Sequence, residues 1–187
     1  MVTFRQDVTG LYNFKKANHI SFYYAMIWAC TKAINQVDAF HVALRNGELV
    51  YLPERKPNFI DLKPAAAHFH IVAMDMEEDI CSFCRNTTVR SYEQKSFLEY
   101  YPDQQIFIYF TCMPWIDLTA LSNERKMNTP DAMDDSIPRI CWGKYKKEED
   151  GRVTLGLSIE VNHRFVDGIH IGQFEKNLSE IIDQLQP

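Results

Sequence analysis

The stretch Asn162-His163-Arg164-Phe165-Val166-Asp167-Gly168-Ile169-His170 holds the residue types best suited to moving a proton. An imidazole titrates near neutral pH, so His163 can take a hydroxyl proton while that hydroxyl attacks an acyl carbon. Asp167 follows four residues later, and Gly168 follows it. The aspartate can fix such a turn by capping a following helix or by pairing with a cation, and the glycine permits a tight backbone path. Taken alone, H-x-x-x-D-G reads equally well as a catalytic base at a strand end and as a core histidine in a turn. His170 falls in the first turn of the helix that follows, where a structural hydrogen bond is the simpler reading.

Other reactive side chains carry weaker signals. Cys81-Ser82-Phe83-Cys84 has C-x-x-C spacing, suited to zinc or redox chemistry, but no second pair stands at metal-ligand spacing and the segment has helical periodicity. Structural thiols are the expectation. His68 and His70 alternate on an extended run and share a face, as paired ligands would; a solvated or interface-facing strand is the preferred reading. Cys112 lies in an apolar strand with no base beside it, which favours packing over nucleophilic work. Asn86-Thr87-Thr88 fits a glycosylation sequon, of use only outside the cytoplasm.

The elements that must hold these residues follow from periodicity. Asp7 is expected to cap a short helix over residues 8–17, and Ser21 a second running to Asn35, with Tyr23, Met26, Ile27, Cys30 and Ile34 as its buried stripe. Residues 40–44 and 49–52 flank Asn46-Gly47 and predict a hairpin. A strand is expected over 68–74, a helix over 79–95, and a buried strand over 105–112 that ends at Pro114. Two long strands over 137–145 and 153–163 lead into an amphipathic helix over 167–185. Its apolar side is Ile171, Phe174, Leu178, Ile181, Ile182 and Leu185. The pattern predicts an α/β protein, a two-layer α+β sandwich whose mostly antiparallel mixed sheet is covered by helices.

Composition narrows the functional classes. The 187 residues suit a single domain over 1–187, long enough for a core. A net charge of −5 without blocks of like charge excludes a nucleic-acid footprint and a polybasic membrane patch. No apolar run approaches the ~20 residues needed to span a bilayer, and residues 1–10 lack the apolar core of a signal peptide. Five cysteines, an odd number, point to reduced thiols in a cytoplasm.

Three segments together resemble the chloramphenicol acetyltransferase family. His163 to His170 is similar to its active-site signature, with His163 at the second, catalytic histidine of the usual His-His pair and Asn162 at the first. Dihydrolipoyl acyltransferase cores share H-x-x-x-D-G, so the other two segments separate the families. Thr111-Cys112-Met113-Pro114-Trp115 resembles the family's S-x-x-P-W segment. The resemblance implies that the Thr111 hydroxyl stabilises the tetrahedral oxyanion and that Trp115 lies near the coenzyme. Pro138 to Tyr145 resembles the strand ending in a Lys-Tyr pair that contacts coenzyme A, here Lys144 and Tyr145. With Phe22 to Pro53 and the last helix also similar, the resemblance covers nearly the whole chain. It implies a coenzyme A-dependent acyltransferase-like fold, acetyl-CoA as co-substrate with no permanently bound cofactor or metal, and a homotrimer with sites between subunits. His163 would be the general base of an O-acetyl transfer, with Asp167 holding the site's geometry.

The departures bear on the acceptor. Family members carry a further first strand and helix before the point matching Val2, including an arginine that pairs with the aspartate matching Asp167; this chain is expected to lack them, which makes a non-catalytic trimeric binding protein the alternative reading. Cys141 stands where the family has a water-holding threonine, and Arg139 where its acceptor pocket has an isoleucine. Both are therefore expected in the substrate pocket, with chloramphenicol less suited than another hydroxyl acceptor. A buried guanidinium needs a carboxylate or a polar ligand, and Asp131, Asp134 and Asp135 are the candidate partners.

Overall fold

The structure, a computed structural model, describes residues 1–45, 47–63, 68–123 and 135–186. Asn46, Asp131 and Asp134 lie outside the described residues. In chain order the elements are β1 (Val2–Asp7), α1 (Thr9–Ala17), α2 (Phe22–Ile34), a 3-10 turn (Asp38–His41), β2 (Val42–Arg45), β3 (Glu48–Tyr51), β4 (Lys56–Asp61), β5 (His70–Ala73), α3 (Ile80–Glu93), β6 (Phe107–Met113), β7 (Arg139–Gly143), β8 (Lys146–Lys147), β9 (Val153–Glu160) and α4 (Gly168–Asp183).

Local chemistry sets the helix starts. The Ser21 hydroxyl accepts from the Tyr24 N–H and the Asp79 carboxylate from Ser82 N–H, so α2 and α3 begin on side-chain caps. Asp7 accepts from the backbone N–H and the hydroxyl of Thr9 at the start of α1. Helix α2 packs against α1, α3, α4 and the sheet. It therefore buries more than one stripe: Ala25, Trp28, Ala29 and Ala33 join Met26, Ile27, Cys30 and Ile34 in the core. Each large aliphatic side chain so buried stabilises the fold by about 1.5–3 kcal/mol.

Seven strands form the main sheet in the order β1-β9-β7-β6-β4-β5, with β8 on β9, while β2 and β3 make a separate hairpin. The β4–β6 and β6–β7 pairs are parallel and the others antiparallel. The mixed, mostly antiparallel α/β architecture read from the sequence is what the chain adopts. Strands β1, β4 and β8 were not expected. Pro57 obscures β4, because a proline within an apolar run argues against a central strand; here it is the second residue, and its carbonyl accepts from Met74 N–H.

One sheet face meets the helices through Ile140, Trp142, Leu155, Leu157 and Ile159. The opposite face carries the polar residues of the same strands and is crossed by residues 116–123. Backbone crosses so closely that a Cβ on Gly156 would lie 2.1 Å from the Leu118 carbonyl oxygen, and one on Gly143 2.5 Å from that of Ile116. Only glycine admits this strap, and β9 is buried along its whole length as a result.

Candidate active site

Strand β6 carries Thr111 in the middle of the sheet, opposite Cys141 on β7. Alternation turns its side chain to the strapped face, and its hydroxyl has no hydrogen-bond partner among the described residues. Two cavities meet at this residue.

The first, of about 700 Å³, is an aromatic cleft at the C-terminal ends of β6 and β7, lined by Phe22, Tyr23, Trp115, Trp142, Lys144 and Tyr145 among others. Trp115 stands on its rim at 82% exposure. The Lys144 N–H donates to the Ile116 carbonyl at 2.7 Å, which ties the end of β7 to the strap. The structure thus brings Trp115, Lys144 and Tyr145 together beside Thr111. Phe22 and Tyr23 were not expected here; the sequence signal was their aromatic pair directly after the Ser21 cap. Burial pushes the Tyr23 phenol well up, and its hydroxyl donates to the Ile60 carbonyl at 2.6 Å.

The second cavity, of about 600 Å³, opens along a row of polar side chains: Asn58, Tyr109 and Arg139 are ladder neighbours on β4, β6 and β7, and Glu160 on β9 continues the row. Asn58 is only 6% exposed, yet its carboxamide has no hydrogen-bond partner among the described residues and lines the cavity. Its amide atoms are not sealed from solvent, so the cavity leaves them available to water or a ligand. Asn58 escaped the sequence reading because β4 did.

Arg139 lines this second cavity, but its charge is already met inside the chain. Its guanidinium donates to Asp135 Oδ2 at 2.7 Å and to the Ile137 carbonyl, and lies over the Tyr109 ring at 5.7 Å. The two side chains are 13% and 21% exposed, so the pair is largely shielded from water. We expect a double-mutant cycle of Arg139→Met and Asp135→Asn to give a coupling of about 1–2 kcal/mol in urea unfolding; a coupling near zero would show that the contact contributes nothing to stability. Cys141, expected in the substrate pocket, lines neither cavity: it is buried on β7 beside Thr111, and burial pushes its thiol up to about 11, so it stays a neutral, weak hydrogen-bonding group. Burial likewise pushes Cys112 up to about 12, which fits a packing role.

His163 stands apart from both cavities. It is exposed in the loop after β9, and its ring makes no hydrogen bond among the described residues. Asn162 shapes that loop: its carbonyl accepts from Phe165 and Val166 N–H at 3.1 Å each, and its side-chain oxygen from Arg164 N–H at 3.1 Å. Within one chain His163 and Thr111 are not brought together, since Thr111 is level with Ser158 and the loop begins beyond Glu160. Of the two ways to use Asp167, the structure shows capping. Its carboxylate accepts from Gly168 N–H, and the Asp167 N–H donates to His170 Nδ1 at 2.9 Å in a reciprocal capping box. No cation pairs with it among the described residues, and Arg5 instead meets Asp117 at 2.8 Å. His170 therefore has the structural bond expected of it.

The remaining candidates are structural. Cys81 and Cys84 lie on α3 as free thiols, both pushed up by burial, Cys84 to about 12. The expectation of a solvated or interface-facing strand at His68 and His70 is corrected for His70. Strand β5 starts at His70, which α3 covers; its Nε2 meets the Ser91 hydroxyl at 3.0 Å and the Ser91 carbonyl at 3.1 Å. Ser91 and Tyr24 both donate to Asp61 Oδ2 at 2.6 Å, so the group is a closed network and His68 alone is exposed.

Comparison with known proteins places these features in a lineage. The family model described as chloramphenicol acetyltransferase matches residues 1–179. Chloramphenicol acetyltransferase 3 of Escherichia coli is 26% identical over 183 residues, covering 96% of this chain and 84% of that protein. A chloramphenicol acetyltransferase of Bacillus pumilus is 25% identical, covering 95% and 80%. Among solved structures, a chloramphenicol acetyltransferase superposes with a TM-score of 0.84 at 17% identity, covering 97% of this chain and 86% of that one. The dihydrolipoamide acetyltransferase of Azotobacter vinelandii superposes at 0.69 and 15% identity, covering 98% and 80%.

Proposed function

The chain belongs to the chloramphenicol acetyltransferase family and is an acyltransferase, and from that premise we propose that it transfers an acetyl group from acetyl-CoA to a hydroxyl acceptor with His163 as general base. The observation that carries the proposal is the meeting of two cavities at the unpartnered hydroxyl of Thr111. A two-substrate reaction through a ternary complex needs this layout, with one cleft for each substrate and a hydrogen-bond donor where they join. Thioester and thiol arm enter the aromatic cleft past Trp115, Lys144 and Tyr145. The acceptor occupies the cavity of Asn58, Tyr109 and Arg139.

In this reading the acceptor hydroxyl attacks the thioester carbonyl as His163 takes its proton, and Thr111 donates to the resulting oxyanion. The carbon–sulfur bond then breaks, and the departing thiolate receives the proton back from His163. Asp167 holds the turn that presents the imidazole. Because Asp135 already neutralises Arg139, the cavity suits a neutral polar alcohol better than an anionic one, and chloramphenicol need not be the natural acceptor.

His163 must then reach Thr111 from a second copy of the chain, which supports a homo-oligomer with sites between subunits; our reading of it is a homotrimer, in the cytoplasm. Light scattering at micromolar concentration is expected to give a mass near three chains, and an active monomer would refute the shared site. The function is tested by thiol release from acetyl-CoA against a panel of hydroxyl acceptors. Acceptor-dependent release supports it. Coenzyme A binding with no release for any acceptor favours the second reading, a non-catalytic binding relative, for which the lack of a cation on Asp167 among the described residues speaks.

A further inference from the structure

Three ammonium groups gather on one aromatic ring. Lys15 and Lys16 in the last turn of α1, and Lys147 in β8, place their Nζ atoms 5.6, 5.2 and 5.5 Å from the centroid of the Tyr12 ring. Among the described residues none of the three has a salt-bridge partner, and neither has Lys144. Elsewhere among the described residues Lys32, Lys56, Lys146 and Lys176 each face a carboxylate and Lys63 donates to the carbonyls of Tyr92 and Gln94, while Lys95 stands without an ion pair but also without a second lysine at a shared ring. Lys15 and Lys16 also suit the negative end of α1, but that does not account for Lys147, which comes from another element to the same ring. Like charges held together without a counter-charge are relieved by an anion.

The cluster adjoins the aromatic cleft. The Tyr12 ring lies 5.2 Å from that of Tyr145, and Tyr145 lies 5.3 Å from Phe22, so a continuous aromatic path runs from the lysines into the cleft that ends at Thr111. Burial works to raise the Tyr12 phenol, but the hydrogen bond and charge of Lys147, with the charges of Lys16 and Lys15, outweigh it and hold the phenol below its ordinary value. The chain as a whole carries a net charge of −5, so this basic spot is local and not part of a general polyanion surface.

We propose that Lys15, Lys16 and Lys147, arranged around Tyr12, bind the phosphate groups of a nucleotide, specifically the phosphorylated adenosine end of coenzyme A. The identity of the ligand rests on the acetyl-CoA reading above; the phosphate chemistry rests on the cluster itself. Three flexible ammonium groups around a ring face can meet several phosphate oxygens at once, and the Tyr12 and Tyr145 rings offer stacking surface for a purine. These lysines add to Lys144, which stands on the opposite side of Tyr145 in sequence from Lys147 and lines the cleft directly.

The test is calorimetric titration with 3′-phosphoadenosine 5′-diphosphate, the nucleotide half of coenzyme A. The wild-type chain is compared with the Lys15→Gln/Lys16→Gln/Lys147→Gln triple variant, and with Lys176→Gln as a control at an exposed lysine of α4. Binding is expected to weaken roughly tenfold in the triple variant, with a shallower dependence on salt, and to be unchanged in the control. Equal affinity of wild type and triple variant, or no nucleotide binding by the wild type, overturns the proposal. Circular dichroism and the three single variants, each expected to weaken binding in part, separate loss of the site from loss of the fold. Acetyl-CoA thiol release run in parallel tells the two ideas apart. Nucleotide binding that depends on the lysines, with no thiol release by the wild type, sustains the phosphate site and defeats the acetyl-transfer reading. Thiol release with an unchanged KM for acetyl-CoA in the triple variant defeats the site and leaves that reading standing.

Discussion

Replacing His163 by alanine is expected to lower kcat/KM for acetyl transfer roughly 10²- to 10⁴-fold, the usual worth of a general base, while folding and coenzyme A binding stay intact. The second half of that expectation follows from position. His163 is exposed, makes no side-chain hydrogen bond among the described residues, and lines neither cavity. Its loop is held by Asn162 and by the Asp167–His170 capping box, none of which uses the imidazole. A variant that keeps more than about a tenth of the wild-type rate would fall outside the range for a lost base and would remove His163 from the mechanism. The shared site adds a sharper measurement. His163→Ala and Thr111→Ala chains, each inactive alone, should regain part of the activity when unfolded together and reassembled, because some interfaces then pair an intact histidine with an intact threonine. No recovery in correctly assembled mixtures would place both residues in one chain's site, contrary to the observed separation.

Arg55→Met is expected to cost about 3–5 kcal/mol of stability, read as a lower urea midpoint at constant protein concentration. Arg55 is fully buried, and no carboxylate forms a salt bridge with it among the described residues. Its guanidinium donates instead to the carbonyls of Phe40, Val42, Gln105 and Ser136 and to the Ser136 hydroxyl. Burial lowers its pKa to about 10, so the group stays charged at neutral pH. The fork of five N–H donors joins the β2–β3 hairpin to the chain segments that enter β6 and β7. Methionine fills much of the volume but leaves four carbonyls without their donor. Arg55→Lys keeps the charge and reaches fewer of them, so it should recover only part of the loss. A midpoint for Arg55→Met corresponding to less than about 1 kcal/mol, the net worth of one ordinary hydrogen bond, would show that water replaces the guanidinium without penalty. Since β6 and β7 carry Thr111, Arg139 and Cys141, a destabilised variant that still folds should also lose acceptor affinity.

The helices were legible because their signals are local. The cap at Ser21 and the apolar spacing of Phe174, Leu178, Ile181 and Ile182 act within a turn or two of the chain, whereas at α1 the N-cap is Val8 and not the Asp7 expected. Long strands with uniform apolar character, β6 and β9, were legible for the same reason. Strands β1 and β4 were not, because nothing local distinguishes them: β1 is defined by its antiparallel partner β9 some 150 residues away, with Val2 opposite Ile159, and β4 by pairing on both sides across Pro57. Missing β4 also hid Asn58 and left His70 misjudged, since its burial depends on α3 lying over β5.

The sequence by itself determined the residue chemistry: an imidazole at a strand end before an Asp-Gly step and a helix, a hydroxyl in a Pro-Trp segment, a Lys-Tyr pair closing a strand, and a mixed sheet under helices. These depend on residue type and short spacing, which survive without coordinates. Only the tertiary structure decided what those residues face. It set the choice of capping over a cation for Asp167, of Asp135 as partner to Arg139, of a free amide at Asn58, and of three unpaired lysines at Tyr12. The physical reason is range. Caps and periodicity are fixed by hydrogen bonds within a turn, whereas the desolvation and pairing that set a site's charge and specificity come from chain segments brought together only when the sheet closes.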